Sequence, residues 1–480
     1  MTRTTTETSE VHDLQRCSFV PPYLLQRVTE TAKGRRLLAD GRDTLAVDER
    51  MRARRETATA TTPPLAADTG GNRVVYDAGG SEDLPGTRAR DADDPATGDV
   101  AVDEAHEYSG VAWDLFAEVY DRRSVDGAGT PLTVTVHYGR DYDNAFWDGT
   151  QLVFGDGDGE VFDRFTKPLD VMAHEFTHGV TQFTAGLTYQ GQSGALNESV
   201  SDVFASIAKQ RTLGQDAAAA DWLIGVGLFL PDVKATALRS MLEPGTAYDD
   251  PRLGKDPQVG SMDAYVETDE DSGGVHINSG IPNRAFALAA RAIGGNSWER
   301  PGQVWYAALT DGSVTASTDF AGFAQATVDA ATRLFPDDPS VATHVTGAWQ
   351  QVGLLTGTGA AASADAAVAS GTARSGAGGA AGGAGAPDED GDEIVAVRRT
   401  GGFTGVTRSA ELNLGNDPSG GELRRLLNQI SVSGLAPSDP QPDRFTYTVA
   451  CRSWELTVPE QDLTPELTRV VQIVLDQQGR

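Results

Sequence analysis

The sequence predicts an α+β protein, a β-rich half followed by an α-helical half, with a short segment before them and a small α/β domain after. Three observations carry that expectation. Runs rich in β-branched and aromatic residues, Val74-Val75-Tyr76, Leu132 to Tyr138 and Gln151 to Phe154, all fall before residue 166. Helical periodicity then takes over, in Leu169 to Phe183, Ala195 to Gln210 and Pro282 to Ile293. Finally, Thr356 to Asp392 is almost entirely Gly, Ala, Ser and Asp, a composition that buries too little apolar surface to offset its ordering entropy.

Taken in chain order, these features divide the protein into five stretches. Residues 1–60 are polar and Arg/Thr-rich apart from one apolar patch, Phe19-Val20-Pro21-Pro22-Tyr23-Leu24-Leu25. The threonine/alanine run at 57–62 and Pro63-Pro64 read as a cuttable connector. Residues 61–165 form the β-rich part, with the turn-rich Gly155-Asp156-Gly157-Asp158-Gly159 after its last strand, and residues 166–356 form the helical part. Residues 357–392 are a flexible tether. In residues 393–480 strand and helix signals return, at Ile394 to Val397, Leu423 to Ile430, Phe445 to Val449 and Leu467 to Leu475.

Composition narrows the function classes. A chain of 480 residues with 39% hydrophobic content is long enough for two or three units with a sizeable core. The formal charge of -30 argues against binding a phosphate backbone, which needs a basic face. Only Cys17 and Cys451 are present, which excludes a disulfide-stapled scaffold and fits a reducing compartment. The N-terminus lacks the apolar core of a secretory signal, and no apolar run approaches a bilayer-spanning length. The expectation is a soluble monomer without nucleic-acid or membrane partners, cytoplasmic as synthesised, with non-classical export left open.

The chemistry concentrates in His174-Glu175-Phe176-Thr177-His178. On a helix, positions i and i+4 share a face, so both imidazoles can reach one metal ion. Two satisfied histidines beside a chance glutamate would give the same pentapeptide. The downstream helix, opened by a glycine in Ser193-Gly194-Ala195-Leu196-Asn197-Glu198, adds what the bland reading leaves unexplained. Glu198 can complete a ligand set of two nitrogens and one carboxylate, the set that suits one catalytic zinc ion with a position left for water. Asp202, four residues on, can accept the other ring N–H of a ligand histidine and fix its tautomer. Glu175 can take a proton from the water and deliver it to a leaving amine.

From about Arg73 to Leu355 the chain resembles the thermolysin family of metallopeptidases. The blocks that carry the likeness are Asn144 to Gly149, Gly155 to Gly159, the HExxH helix, Asn197-Glu198, Leu238-Arg239-Ser240-Met241 and Gly273 to Gly280, in family order and spacing. The resemblance implies a thermolysin-like zincin that hydrolyses peptide and protein substrates. It implies that His276 and Tyr189 stabilise the oxyanion and that Asp271 orients His276. Asn144, the Ala145 carbonyl and Arg239 would hold the substrate backbone. Phe162, Phe165, Val171, Ile224, Leu228 and Leu238 would line an apolar primed-side pocket, favouring cleavage before a bulky hydrophobic residue. One departure stands out. Asp170 and Asp221 remain of a paired calcium site, but Lys209, Leu223 and Val226 stand where acidic ligands belong, and Thr236 where another site would want an aspartate. That argues against the paired site and makes calcium dependence doubtful.

The two ends resemble regulators. Cys17 to Leu24 looks like the cleft-occupying patch of the compact propeptides of the protealysin subgroup. A Cys17 thiolate could ligate the zinc of the precursor, although a small buried residue is the commoner fate of a lone cysteine. Val397 to Gly405, Asp443 to Tyr447 and Leu456 to Pro459 resemble emfourin, a small protein inhibitor of protealysin-type peptidases. The pair of resemblances implies double latency, a propeptide at one end and a tethered inhibitor at the other.

Overall fold

In the computed structural model, residues 18–30, 44, 71–355, 394–401, 408–413, 423, 426–427, 445–451 and 454–475 are described. The readings that fall on Cys17, on the tether, on the connector at 57–64 and on most of Leu423 to Ile430 lie outside them. The chain divides into two compact units, residues 1–362 and 363–480.

The first unit opens with a short helix, α1 (Pro22–Glu30), with proline at its first position, where a missing N–H costs nothing. A five-stranded mixed sheet follows, built from β1 (Arg73–Asp77), β2 (Thr87–Asp91), β3 (Leu132–Val136), β4 (Ala145–Trp147) and β5 (Leu152–Phe154) in the order β2-β1-β3-β5-β4. Strand β1 runs parallel to β3, with Val75 opposite Val134, and β4 pairs antiparallel to β5, with Phe146 opposite Val153. Strand β4 ends the sheet.

An element the sequence reading leaves unassigned lies inside this half: helix α2 (Val100–Tyr120). Its start is fixed by Asp99, whose carboxylate accepts from the Ala101 N–H at 2.9 Å and the Val102 N–H at 3.2 Å. Its buried face includes Val102, Ala105, Ala112, Leu115 and Phe116, apolar positions spaced for one side of a helix.

The helical half contains α3 (Leu169–Gln182) and α4 (Gly191–Leu213), the strand pairs β6 (Leu223–Ile224) with β7 (Arg239–Ser240) and β8 (Asp249–Asp250) with β9 (Gly254–Lys255), and then α5 (Asp271–Asn278), α6 (Gly280–Ile293), α7 (Arg300–Thr310), α8 (Phe320–Leu334) and α9 (Ser340–Gln351). Helix α3 is buried at every position from Asp170 to Thr181. It packs against α4, α2 and β4, which is why its pattern is less amphipathic than a surface helix would need. Gly179 permits one of these approaches, since a Cβ there would lie 2.7 Å from Val125 Cγ1.

Phe116 of α2 anchors α3 and α4 together. Its ring is fully buried, stacked on Phe176 at 5.2 Å and tilted against Phe204 at 5.1 Å. Phe116→Ala should cost about 3–5 kcal/mol, as large aromatic truncations in a packed core do. The measurement is the denaturant midpoint of the first unit, and a loss below about 1 kcal/mol would mean that the site can collapse around the void.

The second unit has its own core. Strands β10 (Ile394–Gly401), β11 (Arg408–Asn413), β12 (Phe445–Cys451) and β13 (Trp454–Pro459) form an antiparallel sheet in the order β11-β10-β12-β13. Val395, Val397, Tyr447, Val449 and Val458 alternate onto one buried face. Helix α10 (Pro465–Leu475) covers it with Leu467, Val470, Val471 and Val474, an i, i+3, i+4, i+7 stripe. Among the described residues, no helix is long and apolar enough to cross a membrane.

Candidate active site

Helices α3 and α4 bring the ligand candidates together. His174 and His178 sit one turn apart on α3, and Glu198 faces them from α4. One donor atom from each of the three lies within 4.8 Å of the others. The two Nε2 atoms are 3.0 Å apart; Glu198 Oε2 lies 3.5 Å from His174 and its Oε1 3.4 Å from His178.

The outer hydrogen bonds fix both tautomers. His174 Nδ1 meets Asp202 Oδ1 at 2.9 Å, where a carboxylate can only accept. His178 Nδ1 meets Asn197 Oδ1 at 2.8 Å, and the Asn197 amide is oriented by donating Nδ2–H to the Leu187 carbonyl. Each Nδ1 therefore carries a proton, and each Nε2 directs a bare lone pair at the other. Glu198 Oε2 is buried and makes no hydrogen bond. Three unshared electron pairs converging in a dry pocket fit a cation and are costly without one. Without metal the pocket draws a proton instead: burial opposes the charge, but the hydrogen bond to Asp202 and the nearby Glu198 carboxylate push His174 up to about 9.

Glu175 is fully buried beside the first histidine, and its Oε2 accepts the Trp147 N–H of β4 at 2.8 Å. Tyr189 and His276 stand against Glu198. The Tyr189 hydroxyl donates to Glu198 Oε1 and lies 3.2 Å from His276 Nε2. Four successive left-handed residues, Asp271 to Gly274, open α5; two are glycines and two carry strain. The turn places the Asp271 carboxylate 2.6 Å from His276 Nδ1 and 2.9 Å from the His276 backbone N–H. Burial works against a cationic His276, yet Asp271 and Glu198 hold its pKa above the usual value.

Asp202 does more than the sequence reading assigned to it. Besides His174, it accepts from Arg239 Nη2 and Nε, each at 2.8 Å, and from Asn283 Nδ2 at 2.8 Å. Burial would raise the Asp202 pKa, but the Arg239 charge and the His174 hydrogen bond hold it down at about 2. Asn197, Asn283 and the Trp147 N–H are supports that the sequence reading does not single out.

The substrate-backbone candidates converge on residues 18–20 of the chain itself. Phe19 N–H donates to the Ala145 carbonyl at 3.1 Å, and Arg239 Nη1 donates to the Phe19 carbonyl at 3.1 Å. Val20 exchanges two hydrogen bonds with the Asn144 amide, at 2.9 and 3.2 Å. The Phe19 ring is fully buried, edge-on to His174 at 5.1 Å and under the Arg239 guanidinium at 4.6 Å. Phe162, Phe165, Val171, Ile224, Leu228 and Leu238 are all buried in the same apolar cluster as Phe19.

Away from this centre, Lys209 Nζ lies 2.9 Å from Asp221 and 3.5 Å from Asp170 and donates to the Leu223 carbonyl. An ammonium thus sits between the two aspartates. Val226 and Thr236 are exposed.

Comparison with known proteins agrees with this geometry. The model of the catalytic domain of thermolysin metallopeptidases matches residues 53–182, and the model of their alpha-helical domain matches residues 185–354. The emfourin model matches residues 397–475. The chain is 48% identical over 338 residues to an extracellular metalloprotease of Pectobacterium carotovorum subsp. carotovorum, covering 70% of this chain and 96% of that protein. It is 44% identical over 343 residues to protease PrtS of a Photorhabdus species, covering 70% and 91%. Among solved structures it is similar to the precursor of protealysin, a metalloproteinase from Serratia proteamaculans, with a TM-score of 0.62 and 49% identity, over 70% of this chain and 99% of that one.

Proposed function

The chain belongs to the thermolysin family of zinc metalloendopeptidases, and on that premise we propose that it cleaves peptides before bulky hydrophobic residues, from a precursor that its own two ends keep latent. The observation that carries this reading is the convergence of donor atoms from His174, His178 and Glu198, with Glu175 next to the first histidine and Tyr189 and His276 against Glu198. In it, those three residues hold one zinc ion, which supplies a polarised water and Lewis-acid assistance when bound.

The chain's own residues do the rest. Glu175, held by the Trp147 N–H, takes the proton of the attacking water and passes it to the leaving nitrogen. His276, braced by Asp271, and the Tyr189 hydroxyl donate to the oxygen that gains charge. Arg239, Asn144 and the Ala145 carbonyl align the substrate backbone along the free edge of β4. The buried seat of Phe19 supports the preference for a bulky apolar residue after the scissile bond. Lys209 supplies the charge that a cation would bring between Asp170 and Asp221, so calcium is not needed there.

In the same reading residues 1–60 are a propeptide, since residues 18–20 block the cleft. The emfourin-like unit at 393–480 is the second restraint. Its tether (357–392) keeps it at a high effective concentration near the cleft. Hydrolysis of a Gly-Leu-containing peptide by processed protein, with and without residues 393–480, tests both parts. Activity should vanish with a chelator, return with zinc, and rise when the C-terminal unit is deleted. Chelator-resistant hydrolysis would sink the zinc reading, and unchanged activity after deletion would sink the tethered inhibitor.

A further inference from the structure

Resting on the site roles proposed above, the geometry points to Ser18–Phe19 as the first bond this peptidase hydrolyses, within its own chain. A segment that merely plugs a cleft can lie in either direction and any register. Residues 18–20 lie in one, and every backbone contact agrees with it. The Ser18 carbonyl oxygen accepts from His276 Nε2 at 3.0 Å. A carbonyl can only accept, so His276 Nε2 is the donor to this oxygen, with Asp271 bracing the ring from the Nδ1 side. The next residue, Phe19, places its N–H on the Ala145 carbonyl, its carbonyl on Arg239 and its fully buried ring edge-on to His174 beneath the Arg239 guanidinium. The residue after that, Val20, is clamped on both polar groups by Asn144.

The carbonyl presented to the proposed oxyanion donor therefore belongs to Ser18, and the buried side chain that follows it belongs to Phe19. The peptide bond between them is the one offered for attack. Phe19 N–H thereby pairs with β4, the last strand of the sheet, in the manner of a peptide added at a sheet edge. Neither residue of the offered bond is proline. Pro21 and Pro22 come only after Val20, the last residue whose N–H the site uses, and they stiffen the chain as it turns into α1. The cost of ordering this substrate is already met by folding, and its local concentration is set by the chain itself.

The step consumes one water. The water oxygen joins the Ser18 carbonyl carbon, the Ser18 C–Phe19 N bond breaks, and the Phe19 nitrogen takes a proton and leaves as an amine. What remains is a Ser18 carboxylate and a new N-terminus at Phe19. Cleavage severs only the Ser18 end of the contact. The bonds of Phe19 and Val20 to Ala145, Arg239 and Asn144, and the packing of α1, survive it. The nicked segment then stays in the primed side as a bound product, and the cleft clears only when a later cut frees that segment.

The test uses the full chain, purified metal-free and then loaded with zinc, with fragment masses and N-termini followed in time. The expected result is a fragment beginning at Phe19, formed before any other cut, at a rate unchanged by dilution, and missing in Phe19→Gly and Glu175→Gln. In the metal-free chain, the Phe19 and Val20 amides should be protected from hydrogen exchange, and Phe19→Gly should lose that protection. Hydrolysis of an added peptide with no Phe19 N-terminus at any time would overturn the inference while leaving the peptidase reading intact. Amides at 19 and 20 that exchange as fast as in an unfolded chain would overturn it through the register alone. No hydrolysis of the chain or of an added peptide, even after both ends are removed, would overturn the peptidase reading and this inference with it.

Discussion

Replacing Glu175 with glutamine is expected to lower kcat for peptide hydrolysis by about 10²–10⁴-fold, the range attributed to a positioned general base. The change is close to isosteric, which makes the expectation sharp. Glu175 is fully buried, and its Oε2 accepts the Trp147 N–H at 2.8 Å. A glutamine amide oxygen can accept the same bond, so the side chain should stay where it is. What it loses is the capacity to take a proton. His174, His178 and Glu198 are untouched, so zinc should still bind at one ion per chain, and KM should move little, because the backbone contacts come from Arg239, Asn144 and Ala145. Atomic-emission metal content and steady-state kinetics on the processed protein separate the possibilities. Activity within about tenfold of wild type would exclude Glu175 as the base, whereas a parallel loss of metal would mean that it supports the ligands instead.

How much of this site was legible beforehand depends on which signal each residue leaves. The ligands were legible because helices α3 and α4 impose a fixed period: His174 with His178, and Glu198 with Asp202, each fall four apart and must share a face. The strands of the first half were legible for a similar reason, since Leu132 to Val136 alternates and is bounded by turn residues. Helix α2 was not picked out. Asp99 is the cap that starts it, but in a stretch dense with aspartates and glycines the same residue reads equally well as a turn.

The supports of the site were hidden for another reason. Asn197 holds His178, Asn283 holds Asp202, and the Trp147 N–H holds Glu175 across 28 residues of chain. Each is a contact between elements, and nothing in local spacing announces which asparagine will face which carboxylate. Asn144 is the intermediate case. The family resemblance marks it as a substrate contact, yet only the fold shows that it holds Val20 of its own chain. Lys209 is marked by the same resemblance as standing where an acidic ligand belongs, and the fold places its ammonium 2.9 Å from Asp221.

Asp202→Asn is the substitution expected to harm stability most, through a residue that never touches substrate. Its carboxylate is fully buried and receives four donors: His174 Nδ1 and Arg239 Nη2 on one oxygen, Arg239 Nε and Asn283 Nδ2 on the other. An asparagine keeps one acceptor oxygen and turns the other position into an NH2 group, so two of the four donors then face a donor. It also removes the carboxylate charge that pairs Arg239, a residue itself only 3% exposed. Breaking a buried pair in this way costs about 3–5 kcal/mol, chiefly because a charge is left uncompensated. Metal affinity should fall by about 10–100-fold, because His174 loses the partner that fixes its tautomer and basicity. The two effects separate by pH. The Arg239 charge and the His174 bond depress the Asp202 pKa to about 2 against the burial that would raise it. A depressed carboxylate contributes stability above its unfolded value, near 3.9, and loses it as the pH falls toward the folded one. The gap in denaturant midpoint between wild type and Asp202→Asn, measured on chelated protein, should therefore be widest at neutral pH and close between about pH 4 and pH 2. A gap that stays constant across that range would mean that shape rather than charge accounts for the loss. A variant as stable as wild type at neutral pH would mean that Arg239 finds another partner, and the coupling of zinc ligand to substrate clamp through one carboxylate would have to be abandoned.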